Sequence, residues 1–199
     1  MSKTRLLLAA VCLFLFLSAG LALTLRSRFQ VSPQAALVAE IQRPGDELIA
    51  GYRQWTRVNP EPLLVAAQNA ALCATPFQSA VPAGPHAKDK YITVYVNDLG
   101  KHAMLEEQMP HFPQGSIVIK EKLTTAKSTT PELLTVMIKR ESGYNPGSGD
   151  WEYMVVDGSG KTVQERGKLE NCQSCHMREQ DTDYVSRSYL PIDVRTRLK

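Results

Sequence analysis

Near the carboxyl end of the chain, two cysteines lie three positions apart and a histidine directly follows the second, in Cys172-Gln-Ser-Cys175-His176. This order of residue types is the pattern of c-type haem attachment, in which both thiols add across the vinyl groups of the porphyrin. One helical turn brings the two thiols and the imidazole around one edge of the porphyrin, so that His176 faces the iron and can ligate it. The motif therefore predicts one covalent haem c, held by Cys172 and Cys175, with His176 as the proximal ligand.

Two other uses of such a motif fit the sequence less well. A structural zinc site needs four ligands, usually from a second cysteine or histidine pair, and here only Cys73 and three scattered histidines are available. A thioredoxin-like dithiol lies at the start of a helix within a β-α-β unit, whereas the neighbouring sequence predicts antiparallel strands. Haem attachment is the interpretation that the residues favour.

The amino-terminal residues have the composition of an export segment. Lys3 and Arg5 precede an uncharged, mostly apolar run at residues 6–25. Such a run is typical of a signal peptide, and it is also long enough to span a bilayer as an uncleaved anchor. In both cases the rest of the chain crosses the membrane, to the side where c-type haem is attached. We therefore expect a periplasmic protein, either soluble or anchored by residues 6–25.

The basic residues are concentrated at that terminus. Residues 1–28 contain four of the 23 basic residues and no acidic one, which leaves 19 basic residues against 20 acidic ones in the remainder. A nucleic-acid-binding domain needs a basic surface or stripe. The near-neutral remainder therefore predicts no nucleic-acid partner.

The second half of the chain contains segments rich in β-branched and aromatic residues, which predict strands. These segments are residues 91–97, 116–123, 132–141 and a hairpin at 151–165 that turns at 157–160. Helical patterns precede the strands, follow residue 97, and return at the carboxyl end. Adjacent strands with helices at the periphery predict an α+β fold, with an antiparallel β-sheet core and an amino-terminal signal or anchor helix.

Three segments are expected along the chain. Residues 1–28 would be the signal peptide or membrane anchor, and residues 29–84 a helical amino-terminal extension and loop. Residues 85–199 would form the haem-binding domain, because they contain the predicted strands and the Cys-x-x-Cys-His motif.

Four stretches of the second half occur in a distinctive order. They are YITVYVN, FPQGSIVIKEKL, GYNPGSGDWEY, and finally CQSCH with the following DTDYVSRSYLP. This ordered set resembles the cytochrome P-460 family, which consists of c-type haem proteins of mainly β fold with the attachment motif near the carboxyl end. The resemblance covers about residues 85–192.

The resemblance implies a third bond between protein and porphyrin. In that family a strand lysine is covalently linked to the haem ring, and the matching residue here is Lys120 in SIVIKEK. Members with this cross-link oxidise hydroxylamine, so the resemblance implies oxidation of hydroxylamine or a similar small nitrogen compound at an open haem face. It also implies an electron-accepting partner cytochrome and a homodimer.

From the residues alone, Lys120 reads as a solvated side chain of an edge strand. The period of two along the strand nevertheless places Val118 and Lys120 on one face, and Ile117 and Ile119 on the other. Apolar residues on both faces predict a strand that is covered on both sides.

Two other functions stay open. The related cytochromes c′-beta share the fold and the open haem face, lack the cross-link, and bind nitric oxide without turnover. A plain electron-transfer cytochrome c would instead have a methionine as sixth ligand. The methionines that could fold back over the haem are Met104, Met109, Met137 and Met154. Where cross-linked members offer a polar group over the open face, the strand at residues 91–97 has Ile92 and Val94.

Overall fold

The computed structural model describes residues 32–66 and 89–199. The expected export segment, Cys73 and His86 lie outside these residues. Within the described ranges, no helix is long and apolar enough to cross a membrane. The described residues from 38 onward form one compact unit, which contains the sheet and the Cys-x-x-Cys-His motif.

The fold is a seven-stranded antiparallel sheet with short helices, which confirms the predicted α+β class. The strands are β1 (Thr56–Arg57), β2 (Leu63–Val65), β3 (Lys90–Val96), β4 (Ile117–Leu123), β5 (Leu133–Lys139), β6 (Trp151–Asp157) and β7 (Val163–Gly167). The α-helices are α1 (Pro33–Ile41), α2 (Gly45–Leu48), α3 (Asp98–Leu105), α4 (Glu170–His176) and α5 (Ile192–Arg197). Short 3₁₀ helices occur at Tyr52–Gln54, Pro146–Ser148 and Met177–Thr182.

The sheet has the order β1-β3-β4-β5-β6-β7, and β2 pairs with β3 beside β1. From β4 onward each strand pairs with the next strand along the chain, and the pairing of β6 with β7 is the hairpin predicted at residues 151–165. Residues 56–65 thus belong to the same sheet as the later strands. The division of the chain at residue 85 stays a prediction.

Alternation along the strands gives the sheet two buried faces. Val118 packs in a cluster with residues of β3, β5 and β6, while Ile117 and Ile119 pack in a second cluster that contains Leu48 of α2. The predicted two-sided covering of β4 is confirmed. Both faces of the central strands are therefore largely buried, and the charged residues Glu121 and Lys139 are buried there as well.

Asn97 fixes the connection from β3 through α3 to β4. Its side-chain oxygen accepts hydrogen bonds from the backbone N–H of Gly100 at 3.1 Å and of Ile117 at 3.0 Å. Its side-chain amide donates to the carbonyl oxygen of Gly115 at 2.8 Å. The asparagine therefore caps the helix and sets the start of β4, the strand that contains Lys120.

A buried carboxylate attaches the 3₁₀ helix at Tyr52–Gln54 to the sheet. Glu121 on β4 accepts hydrogen bonds from the Tyr52 hydroxyl at 2.5 Å and from Arg53 Nε at 2.7 Å. Its side chain is only 5% exposed. Burial, followed by the bond to Glu121, raises the pKa of the Tyr52 phenol, which therefore keeps its proton and remains a donor.

We expect Tyr52→Phe to lower the free energy of unfolding by about 1 to 2 kcal/mol, because a buried carboxylate loses one of its donors. Urea unfolding of the haem-loaded protein measures the change. Tyr91→Phe is the matched control and should change stability much less, because Tyr91 is a β3 tyrosine on the same face of the sheet as Glu121. Equal stabilities of the two variants would contradict this role of the Tyr52–Glu121 bond.

Candidate functional site

A cavity of about 270 Å³ is lined by the sheet and by the carboxyl-terminal segment. The sheet contributes one wall through side chains of β3, β4, β5 and β6. The segment from α4 to residue 189 contributes the other wall, with Cys172, Cys175 and His176 among its residues. The structure thus brings the whole predicted attachment motif to one cavity.

Helix α4 determines how the motif is presented. It begins at Glu170 and ends at His176, so an acidic residue lies in its first turn, where the helix dipole favours a negative charge, and the imidazole lies in its last turn. Cys172 and Cys175 are one turn apart, are half-buried, and are not joined in a disulfide. Both thiols are therefore available for reaction at the cavity.

The imidazole of His176 is held in one orientation. Its Nδ1–H donates to the carbonyl oxygen of Tyr184 at 2.7 Å, since a carbonyl can only accept. In the neutral ring this leaves Nε2 without a proton and able to ligate a metal. Burial, with a smaller contribution from the charge of Lys120, lowers the pKa of His176 and so favours the neutral, ligating form.

Tyr153 on β6 packs beside this imidazole. The two ring centroids are 5.5 Å apart. Burial raises the pKa of the Tyr153 phenol to about 12, and the hydroxyl lies 2.8 Å from that of Ser148. Tyr153 is thus a neutral aromatic neighbour of His176.

Lys120 lies in the same cavity as the motif. It is half-buried, and its register partners are Val94 on β3 and Thr135 on β5. β4 is an inner strand with neighbours on both sides, so Lys120 is not the edge-strand residue that composition alone suggests. Lys120 and the three motif residues, which are distant from it along the chain, therefore meet at one cavity.

The sheet wall around Lys120 is mainly aliphatic. Val94, Val118, Met137 and Val155 line the cavity there, with Thr135 as a polar neighbour. Among the described residues that line the cavity, the one carboxylate is Glu179, which follows α4 on the opposite wall. The strand at residues 91–97 offers the aliphatic Val94, as its sequence indicated.

The methionines have different environments. Met137 lines the cavity, whereas Met104 is fully buried in the core and Met109 is 86% exposed. Met154 also contributes to the cavity lining, but its sulfur lies against Gly45 in the second core cluster on the other face of the sheet. Met137 is therefore the methionine whose position best suits an iron ligand.

Sequence reasoning missed a pair of residues behind the imidazole. Asp183 and Tyr184 both have left-handed backbone conformations, with φ of 52° and 64°. The Asp183 carboxylate accepts hydrogen bonds from Lys139 Nζ, at 2.7 Å to each oxygen. Lys139 and Asp183 are 44 residues apart, so no local sequence pattern predicts their ion pair. The one local signal is that aspartate tolerates a left-handed backbone better than most residues do.

The donor set suits a haem c. Covalent attachment and iron ligation require two thiols one helical turn apart that are not joined in a disulfide, and a neutral imidazole that presents Nε2. Both are present here, beside a cavity whose sheet wall is mainly aliphatic. The residues that could hold the group are Cys172, Cys175 and His176, with Lys120 facing them.

Comparison with known proteins supports the same conclusion. A family model for cytochrome P-460 matches residues 49–187, which is more than half of the chain. The match extends the resemblance of the ordered motifs toward the amino terminus, across β1 and β2. No curated protein sequence was found to match the chain. The chain therefore belongs to the cytochrome P-460 family, and it is a haem protein.

Proposed function

We propose that this protein is an exported c-type cytochrome that oxidises hydroxylamine or a similarly small nitrogen compound. The observation that supports this proposal best is the position of Lys120. It shares one cavity with Cys172, Cys175 and His176, where an amine can reach the edge of a porphyrin bound by the motif. In this family such a lysine is the residue of the cross-link that accompanies hydroxylamine oxidation.

Each of these residues has a distinct role in the proposal. Cys172 and Cys175 form thioether bonds to one haem, and His176 provides Nε2 to its iron. Lys120 is the residue whose Nζ would bond to a ring carbon. Each atom would lose one hydrogen, and a peroxide would take up the two electrons and two protons. When bound, the haem supplies electron transfer from the substrate to a partner cytochrome.

The remaining side chains of the cavity shape the substrate site. Val94, Val118 and Val155 give the sheet wall of the cavity an apolar surface, while Thr135, the register partner of Lys120 on β5, places a hydroxyl-bearing residue on the same wall. The chain acts in the periplasm, soluble or anchored by residues 6–25, and pairs as a homodimer. Its export is supported by the apolar run and by the location of c-type haem attachment.

The aliphatic wall favours a second candidate function. A cavity lined by Val94, Val118 and Val155 has few groups that could accept protons from a substrate. Such a wall suits a diatomic, uncharged ligand, so a protein that binds nitric oxide without turnover is the alternative. Its chain would keep His176 as ligand and leave Lys120 unlinked.

One set of measurements distinguishes the two functions. The full chain is expressed with c-type haem maturation and exported, and ferric and ferrous absorption spectra are recorded. A broad ferrous Soret band far to the red of ordinary haem c, with hydroxylamine-dependent reduction of an added acceptor, is the expected result. An ordinary high-spin spectrum, with rapid nitric oxide binding and no acceptor reduction, would favour the alternative.

Met137→Ala is expected to leave the spin state of the haem unchanged, because the proposed substrate site needs an open face opposite His176. Absorption spectra of the ferric protein should be high-spin in the wild type and in the variant. Met109→Ala, at an exposed position, is the matched control. A low-spin wild type that becomes high-spin only in Met137→Ala would instead indicate an electron-transfer cytochrome.

A further inference from the structure

Two consecutive residues behind His176 have an unfavourable backbone. Asp183 and Tyr184 have positive φ angles, and among the described residues Asp150 is the one other non-glycine residue with such a conformation. A left-handed conformation costs about 1 kcal/mol or more for a residue with a side chain, and it persists only where surrounding contacts impose it. Tyr184 is also the residue whose carbonyl accepts the hydrogen bond from His176.

Asp183 is held from three sides. Its carboxylate accepts hydrogen bonds from Lys139 on β5 and, at 2.8 Å, from the backbone N–H of Phe112. Its own carbonyl accepts a hydrogen bond from Trp151 Nε1 at 2.8 Å. The side chains of Lys139 and Asp183 are only 8% and 10% exposed, so loss of either partner would leave a buried charge unpaired.

Tyr184 is confined by close packing as well. A Cβ atom placed on Gly149 would lie 2.5 Å from Cδ2 of the Tyr184 ring and 3.0 Å from a carboxylate oxygen of Asp183. The ring therefore rests directly on the Gly149 backbone, which itself has a φ of 59°. The sheet and this turn together fix where the Tyr184 carbonyl points.

Neither Lys139 nor Asp183 lines the cavity, and the adjacent residue Tyr184 connects the ion pair to His176 through its carbonyl. We propose that Asp183, held by Lys139, is a positioning residue that aims the Tyr184 carbonyl at Nδ1 of His176. The carbonyl makes the imidazole a stronger and more rigid donor to iron, and a stronger axial donor lowers the reduction potential of a haem. The inference rests on the proposed role of His176 as iron ligand.

Asp183→Asn in the haem-loaded protein tests the proposal, because it removes the charge that holds Lys139 and keeps the size of the side chain. We expect the iron–histidine stretching band of the ferrous protein, measured by resonance Raman spectroscopy, to shift to lower frequency. The reduction potential should become more positive. The matched control is Glu132→Gln, which removes the partner of Lys90 in a more exposed ion pair on the same sheet and should leave the stretching band unchanged.

Gly149→Ala tests the same geometry without any change of charge. The added methyl group must displace the Tyr184 ring, so the iron–histidine stretching band should again shift to lower frequency. If Asp183→Asn fails to fold, this variant alone decides the proposal. An unchanged band in both variants would overturn the inference and leave the proposed function intact. Absence of an iron–histidine band in the wild type would overturn both.

Discussion

Replacing Lys120 with leucine is expected to abolish hydroxylamine-dependent reduction of an acceptor and to leave the haem attached through Cys172 and Cys175. Leucine is close to the lysine stem in size and suits the aliphatic wall, so the inner strand β4 keeps its packing. The amine that can bond to the porphyrin is lost, however. The ferrous Soret band should therefore move from its red-shifted position to that of ordinary haem c.

Two further variants separate the proposed bond from other effects of Lys120. Lys120→Arg keeps a positive charge near His176, but the arginine guanidinium stays protonated and cannot act as a nucleophilic amine. This variant should therefore also show the spectrum of ordinary haem c. Lys122→Leu changes a lysine of the same strand and the same face that does not line the cavity, and it should retain both the red-shifted band and turnover. Mass analysis of a haem-containing peptide that includes residue 120 identifies the link directly.

The outcome that contradicts the prediction is clear. If Lys120→Leu has the spectrum and the hydroxylamine oxidation of the wild type, Lys120 is not bonded to the ring. If the wild type itself has an ordinary haem c spectrum, the cross-link is absent, and the aliphatic wall of the cavity becomes the better guide to the ligand. Nitric oxide binding without turnover would then be the better description of the function.

The features predicted from the sequence depend on local patterns. The attachment motif places its three residues within one short helix, so Cys172, Cys175 and His176 could be identified without knowledge of the fold. The alternation of β4 is equally local, which is why the faces of Val118 and Lys120 were predicted correctly. Their meeting in one cavity follows from the pairing of β3, β4, β5 and β6.

The features that were missed depend on pairs that the fold brings together. Glu121 and Lys139 are charged residues within strands, and both are buried beside partners distant in sequence that neutralise them. Tyr52, 69 residues before Glu121, cannot be matched with it by spacing. The short strands β1 and β2 have two and three residues, too few for a periodic pattern.

The second large effect is expected for the double variant Cys172→Ser and Cys175→Ser. Both thiols that could form thioether bonds are removed, while the helix and the imidazole of His176 remain. The bond from Lys120 is expected to form only on a haem that the thioethers already hold, so it should be absent as well. Haem in this variant should be released by acidified acetone, whereas haem in the wild type should stay with the protein. Ser174→Ala, at an exposed position of the same helix, is the matched control and should retain its haem.

The single variants should behave differently from the double variant, because one thioether bond is enough to resist extraction. Each single variant is therefore expected to keep its haem with an altered ring spectrum, since one vinyl group stays unsaturated. In the double variant the haem becomes a dissociable ligand, and its contribution to stability then depends on its concentration. The urea midpoint should accordingly rise when haem is added to the double variant and stay constant in the wild type.

Haem that resists extraction in the double variant but not after further replacement of Lys120 by leucine would contradict this prediction. It would show that the bond from Lys120 forms without either thioether. Attachment of the haem at Cys172 and Cys175 would then not be required before the bond from Lys120.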